Sequence, residues 1–264
     1  MNNILFVLCS LFLITDCASN CRAKKSNEIR VVASAVPHAE MLEAIKDELR
    51  AQGITLKIIV TDDYNMPNRA VAEKEADANF FQHLPYLEEQ IKQFHYPLFN
   101  IAAIELEPMG IYSRELTSLS ELKDKAKIAI PNDPTNEARA LMMLEKEAII
   151  RLDNPKNLSA TVRNIVDNPK NIQFIEVDAA MTPRALEDVD AAIINTNYAL
   201  QAKLSPLKDA LVLESKDSPY TNILVIRSAD KDRPELKALA KALTGEKMRA
   251  FILEKYKGAV IPAF

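Results

Sequence analysis

The 264-residue sequence contains no tryptophan, only four glycines (Gly53, Gly110, Gly245 and Gly258), three histidines and three cysteines. So few glycines exclude a glycine-rich phosphate cradle, because Walker and dinucleotide motifs need glycine at fixed spacing for the backbone to approach phosphate. Nucleotide-dependent chemistry goes with it. Cys9, Cys17 and Cys21 all lie at the N-terminal end, which excludes a disulfide framework or a cysteine-based zinc cluster in the remaining chain. A net charge of -4, from 33 basic and 37 acidic residues, leaves no basic footprint for nucleic acid. The one long apolar run, Ile4 to Ile14, is too short to span a bilayer.

That run has the length of an export-signal core, and the expected division is a signal peptide over 1–17 followed by a polar tether over 18–27. Leu13-Ile14-Thr15-Asp16-Cys17 resembles a bacterial lipoprotein processing site, with Cys17 as the residue that carries lipid. Cys21 and a plain cleaved signal are the alternatives.

From Ile29 onward the chain alternates between strand-like and helix-like runs. Ile29–Ala33 reads as a strand, 38–52 as a helix with Met41, Leu42, Ile45 and Leu49 at helical spacing, and Leu56–Val60 as the next strand. The order repeats through a strand from Ala76 and a helix from Pro85, which argues for an α/β fold with mostly parallel sheets. Helices are expected over 136–150 and 233–255, and strands over 127–131, 172–177, 190–194, 211–214 and 222–227. Glu75 to Phe80 and Asp188 to Ile193 each pass through an aspartate into a strand, implying two similar halves. Pro108 and Gly110 interrupt a strand where a crossover between lobes fits. The expected organisation is two α/β lobes, 28–109 plus 222–264 and 110–221, joined by a hinge of two crossing strands. Their strand-end loops would line a cleft.

The candidate site follows from those loops. Phe80, Phe81, His83 and Tyr86 crowd one strand-to-helix junction at neither strand nor helix spacing, and strand-end loops of α/β folds hold ligands. Arg139 is expected in the first turn of its helix, where a guanidinium and free amides form a carboxylate receptor. Pairing with Glu137 or with solvent is the plain alternative. Asn195, Asn197 and Asn222 at strand ends serve turns or, beside an arginine, suit the mixed donors and acceptors of a zwitterion. Tyr64, Phe81, His83 and Tyr86 would enclose its apolar end, since aromatic rings make favourable contacts with a thioether.

Five runs in order, Asp63-Tyr64-Asn65-Met66-Pro67-Asn68, Asp77 to His83, Pro131 to Asn136, Ile194 to Ala199 and Ser218 to Asn222, closely resemble the methionine-binding lipoproteins of ABC-type uptake systems, the MetQ/NlpA type. The resemblance covers nearly the whole chain after the leader. It implies a bilobed periplasmic-binding-protein fold of type II-like topology. It further implies a non-catalytic protein without cofactor or metal that captures L-methionine or a similar apolar amino acid by hinge closure. The expected partners are an ABC permease and its ATPase, and the expected form is a monomer, exported and anchored to the membrane through an N-terminal lipid. In that reading Arg139 takes the ligand carboxylate, Asn195 and Asn222 its polar end, and Tyr64, Phe81, His83 and Tyr86 its side chain.

Two other readings are weighed. His83 as the general base of an enzyme on amino-acid derivatives has no nucleophile or metal beside it in sequence. A zinc-type transport receptor is suggested by Pro37-His38-Ala39-Glu40, but only His38, His83 and His95 are on hand to coordinate.

Overall fold

The computed structural model describes residues 27–264; the signal segment, Cys17 and most of the tether lie outside the described residues. Two sheets organise the chain. The first has the order Ile261–Pro262, Leu98–Leu106, Thr221–Arg227, Ala78–His83, Glu28–Ala33, Thr55–Val60, and the second the order Ala210–Leu213, Gly110–Tyr112, Ala191–Ile194, Lys127–Pro131, Gln173–Val177. In the first, Ala78–His83, Glu28–Ala33 and Thr55–Val60 run parallel while Thr221–Arg227 runs antiparallel beside them. The second repeats the scheme: Ala191–Ile194, Lys127–Pro131 and Gln173–Val177 are parallel and Gly110–Tyr112 is antiparallel. The chain passes between sheets from Leu106 to Gly110 and returns between Leu213 and Thr221.

The likeness of the halves has a chemical root. The Asp77 carboxylate accepts the Arg30 N–H at 2.8 Å and the Asp190 carboxylate accepts the Lys127 N–H at 2.7 Å, so in each half the aspartate ties its own strand to the neighbouring parallel one and fixes the register. The backbone repeats this, with Asp77 N–H to Arg30 carbonyl at 2.8 Å and Asp190 N–H to Lys127 carbonyl at 3.0 Å. Each sheet buries its own core. Val31, Phe80, Leu224 and Ile252 pack in one and Ile111, Ile128, Leu141 and Ile193 in the other; each such side chain, fully removed from water, stabilises by about 1.5–3 kcal/mol.

Three boundaries differ from the sequence expectation. The segment 38–52 buries all four apolar positions, yet the helix divides into Glu40–Ala44 and Lys46–Ala51 at Ile45 (φ -103°, ψ 0°), whose N–H turns to the Leu42 carbonyl. The closing segment is two helices, Pro234–Leu243 and Glu246–Tyr256, parted at extended Gly245 (φ -87°, ψ 165°). The third helix runs Pro134–Lys146, starting earlier than expected because Asp133 caps it and Pro134 needs no amide partner at a helix start.

Candidate functional site

The strand Ala78–His83 is buried on both faces, and its polar residues are satisfied by a closed set of amides. Asn68 Nδ2 donates to Gln82 Oε1 at 2.9 Å, while Asn79 Nδ2 donates to Asn68 Oδ1 and Gln82 Nε2 to Asn79 Oδ1, both also at 2.9 Å. A buried polar network satisfied in this way rigidifies the strand end, and with it Phe81 and His83. His83 then caps the helix Leu84–Phe94, its Nδ1 accepting the Tyr86 N–H at 3.2 Å. That acceptor role leaves the proton on Nε2, which lies 3.2 Å from Asn136 Oδ1. Tyr86 Oη donates to the Tyr64 carbonyl at 3.1 Å, and the Tyr64, Phe81 and Tyr86 rings stand 5.7 to 6.2 Å apart.

The second sheet supplies the opposite wall. Asp133 accepts the Asn136 N–H at 3.0 Å and the Asn136 amide at 2.9 Å, and Asn136 Oδ1 in turn accepts from Asn195 Nδ2 at 2.9 Å. Arg139 lies in the second turn of its helix, two residues deeper than sequence placed it. The helix-start amides of the expected carboxylate receptor are therefore partly taken, by Asp133. The guanidinium is paired with neither Glu137 nor solvent: Nε donates to both Glu214 carboxylate oxygens at 3.1 Å, Nη2 also reaches Glu214, and Nη2 donates to the Glu107 carbonyl at 2.8 Å. Its plane covers the Tyr220 ring at 4.4 Å. Burial works against the guanidinium charge, but Glu214 more than offsets this and holds its pKa above the ordinary arginine value. Nη1 makes no hydrogen bond among the described residues.

Tyr64, Phe81, His83, Tyr86, Arg139, Asn195 and Asn222, the seven residues singled out in the sequence, all line one cavity with about 350 Å³ of atom-free space. Gln82, Glu107, Asn136, Thr196 and Asn197 complete its wall. Tyr64 Oη donates to Asn197 Oδ1 at 2.8 Å and Tyr198 Oη donates to the Asp62 carbonyl at 2.8 Å, tying the two sides together. Two buried polar atoms in the wall have no partner among the described residues: the acceptor Asn195 Oδ1 and the donor Asn197 Nδ2. Unpaired buried groups of this kind cost free energy until something fills them, and a molecule with both an ammonium and a carboxylate satisfies both.

Gln82, Glu107 and Thr196 are the wall residues that sequence reasoning did not single out, whereas Asn136 closes the 132–136 loop expected beside Arg139. Glu105 and Glu107 sit two apart at a strand end, which puts both carboxylates on one face; that spacing was the available signal. Both are buried, at 0% and 5% exposure. Burial pushes each carboxyl up to about 8, helped at Glu107 by the neighbouring Glu105 charge. Burial pushes the other way on the imidazoles, taking His38 down to about 4 and His83, also repelled by Arg139, to about 3.

His38, Glu105 and Glu107 place one donor atom each within 4.8 Å of one another, the nearest approach to a metal centre among the described residues. Asn222 Nδ2 donates to Glu105 Oε1 at 2.8 Å and to Glu107 Oε1 at 3.0 Å, so the oxygens nearest His38 already share an amide donor. His83 has both ring nitrogens engaged, lies against amides and aromatic rings, and is held neutral by burial and by the Arg139 charge. Neither arrangement offers an activated nucleophile.

Two α/β lobes with a polar, aromatic-walled cavity at their seam define a bilobed periplasmic-binding-protein fold. Among the described residues no helix is long and apolar enough to cross a membrane. The chain belongs to the NlpA lipoprotein family, whose model matches residues 29–264. It is 44% identical over 256 residues to the methionine-binding lipoprotein MetQ of Bacillus subtilis, covering 95% of this chain and 93% of that protein. A nutrient-binding protein from Burkholderia cenocepacia solved with methionine bound superposes with a TM-score of 0.87 at 42% identity, over 89% of this chain and 100% of the other. A periplasmic substrate-binding protein of an ABC transporter from Coxiella burnetii gives a TM-score of 0.85 at 44% identity, again over 89% and 100%.

Proposed function

We propose that this protein is the substrate-binding component of an ABC importer, capturing methionine or a close apolar amino acid by closure of its lobes. It would hand the ligand to a membrane permease driven by an ATPase. The observation that carries the reading is the convergence of a guanidinium, two unpaired amide atoms and a ring of aromatics on one cavity, together with relatives named for methionine binding.

In this reading the lobes are 28–109 plus 222–264 and 110–221, turning on the two crossing segments. Arg139 Nη1 receives the ligand carboxylate, Asn195 and Asn222 hold its polar end, and Tyr64, Phe81, His83 and Tyr86 enclose the thioether. Closure removes water from these contacts and strengthens them, which couples occupancy to lobe orientation. The protein has no catalytic activity of its own and acts as a monomer. It is exported and held at the membrane through lipid on Cys17, facing the periplasm or the cell exterior.

The test is a thermal-shift and calorimetric screen of the amino acids after unfolding and refolding to strip carried-over ligand, because tight occupancy masks further stabilisation. Methionine is expected to raise the melting temperature most. A flat response to methionine beside a clear response to another class of solute, or to zinc, would remove the reading.

A further inference from the structure

Glu107 is the only carboxylate among the cavity-lining residues, and it is bonded in a way that leaves its charge unanswered. Its Oε1 accepts from Asn222 Nδ2 at 3.0 Å and lies 3.3 Å from His38 Nε2, while Glu105 Oε1 takes the same two donors at 2.8 and 3.0 Å. The two carboxyl groups meet on the same pair of donors, and burial together with the charge of Glu105 raises the Glu107 carboxyl. Glu105 Oε2 is buried and has no partner among the described residues. Two acids sharing one amide and one imidazole lack the donors to be ionised together.

The charged and titratable groups facing the pair come from every element around it. Arg139 donates to the Glu107 backbone carbonyl and its charge favours ionisation of both glutamates, but its direct ion pair is with Glu214 and burial outweighs its pull on the pair. His38, from the Ala35–Ala39 turn, is neutral at pH 7 because burial lowers its pKa to about 4. Tyr64 and Tyr256 interact with the pair electrostatically, and both phenols are held protonated, their pKa values raised by burial. Among the described residues no lysine or arginine side chain makes a direct ion pair with either glutamate. Like charges this close in a low-dielectric site cannot both ionise, so the pair keeps a shared proton near neutrality.

An α-amino acid brings the missing cation. Resting on the amino-acid-binding reading above, we propose that Glu107 receives the ligand ammonium and that capture expels the proton it shares with Glu105. The balance is simple: the pair, carrying one proton and one negative charge, meets R–NH₃⁺; the bound state holds R–NH₃⁺ against two carboxylates, and one H⁺ leaves to solvent. Charge is zero on both sides. Glu107 thereby selects for a primary ammonium, a different selection from that of the aromatic wall, and ties affinity to pH. Because binding releases a proton, affinity rises with pH while the free pair still holds that proton, and levels off once the pH passes the pair's titration at about 8.

The experiment is calorimetric titration of the purified protein with methionine in buffers of different ionisation heat. A parallel titration uses 4-methylthiobutanoate, which has the same side chain and carboxylate but no amino group. Methionine is expected to release most of one proton, with affinity rising by up to about tenfold per pH unit from about pH 6 to 8, whereas the des-amino probe binds without release. Glu107→Gln is expected to bind methionine more weakly and with no pH slope. Methionine binding with no proton release and a flat affinity profile overturns the proposal while leaving the methionine-binding reading intact. Equal release with the des-amino probe also overturns it, and that arm does not depend on whether the variant folds. Absence of methionine binding at every pH overturns both.

Discussion

Arg139 and Glu214 form a buried ion pair, Nε lying 3.1 Å from each carboxylate oxygen with the two side chains 4% and 12% exposed. The guanidinium is thus held in one orientation with its net charge cancelled. Only Nη1 and the residual local field remain for a ligand carboxylate, which binds by completing the fan of donors instead of neutralising a free cation.

Removing either partner therefore has a different signature. Arg139→Ala leaves Glu214 without its cation and is expected to cost about 3–5 kcal/mol of stability, besides abolishing ligand capture. Glu214→Gln destabilises the empty protein too, but leaves an uncompensated guanidinium at the cavity. Its ligand-induced rise in melting temperature is expected to exceed that of the native protein. Thermal melts of both variants with and without methionine check this; a smaller ligand shift for Glu214→Gln would contradict it.

The pH dependence of stability should be set largely by two buried histidines and by the carboxyls of Glu105, Glu107 and Glu137. His38 and His83 have folded values near 4 and 3 against an ordinary 6.5, so their contribution is present above pH 6.5 and lost as pH falls through the folded values. The proton shared by Glu105 and Glu107 is held up to about 8 against an ordinary 4.5, and burial raises Glu137 to about 7, so the contribution of these carboxyls is present below pH 4.5 and lost as pH rises through 7 to 8. Between those ordinary values the two slopes oppose each other. The ligand-free protein is expected to show a broad maximum there, with stability declining toward pH 8 and again toward pH 3. Urea midpoints measured across pH provide the check, and Glu105→Gln should flatten the alkaline limb only.

Much of this was legible in the chain. Period-two and helical spacing located the strands and most helices, and the aspartates at 77 and 190, each leading into a strand, pointed to like halves; in the structure each accepts a backbone amide of a neighbouring parallel strand. Phe81, His83 and Tyr86 stood out because their spacing suited neither element. Glu107 did not, since a carboxylate near a strand end ordinarily faces water, and its burial depends on Asn222 arriving 115 residues later in the chain. The partner of Arg139 was hidden for the same reason, Glu214 lying 75 residues away. The depth of Arg139 in its helix was misjudged because the cap at Asp133 was not recognised as the helix start.

Closure rests partly on one phenol. Tyr64 Oη donates to Asn197 Oδ1 at 2.8 Å across the seam, and Asn197 Nδ2 already has no partner. Tyr64→Phe keeps the ring contacts to Phe81 and Tyr86 but leaves the whole buried amide unpaired when the lobes meet. A loss of about 1–3 kcal/mol in affinity is expected, with a population of more open molecules visible as a larger radius of gyration by small-angle scattering. Native affinity in this variant would show that the bond does not contribute to closure.

Gly110 marks the entry of the chain into the second sheet, paired with Ile194 on one side and Leu213 on the other. A Cβ there would lie 2.6 Å from Tyr112 Cε2 and 2.8 Å from its Cζ and Oη. The ring cannot retreat freely, because Tyr112 is 1% exposed and packs with Ala192, Ile194 and Tyr198. Gly110→Ala is accordingly expected to lose about 1–3 kcal/mol to overpacking, without touching the cavity wall directly. Pairing it with Tyr112→Leu, which removes the atoms in conflict, should recover part of that loss. The coupling energy from a double-mutant cycle in urea then isolates the clash from the general cost of truncating a buried tyrosine. Additive effects of the two substitutions would place the cause elsewhere than in the contact between residues 110 and 112.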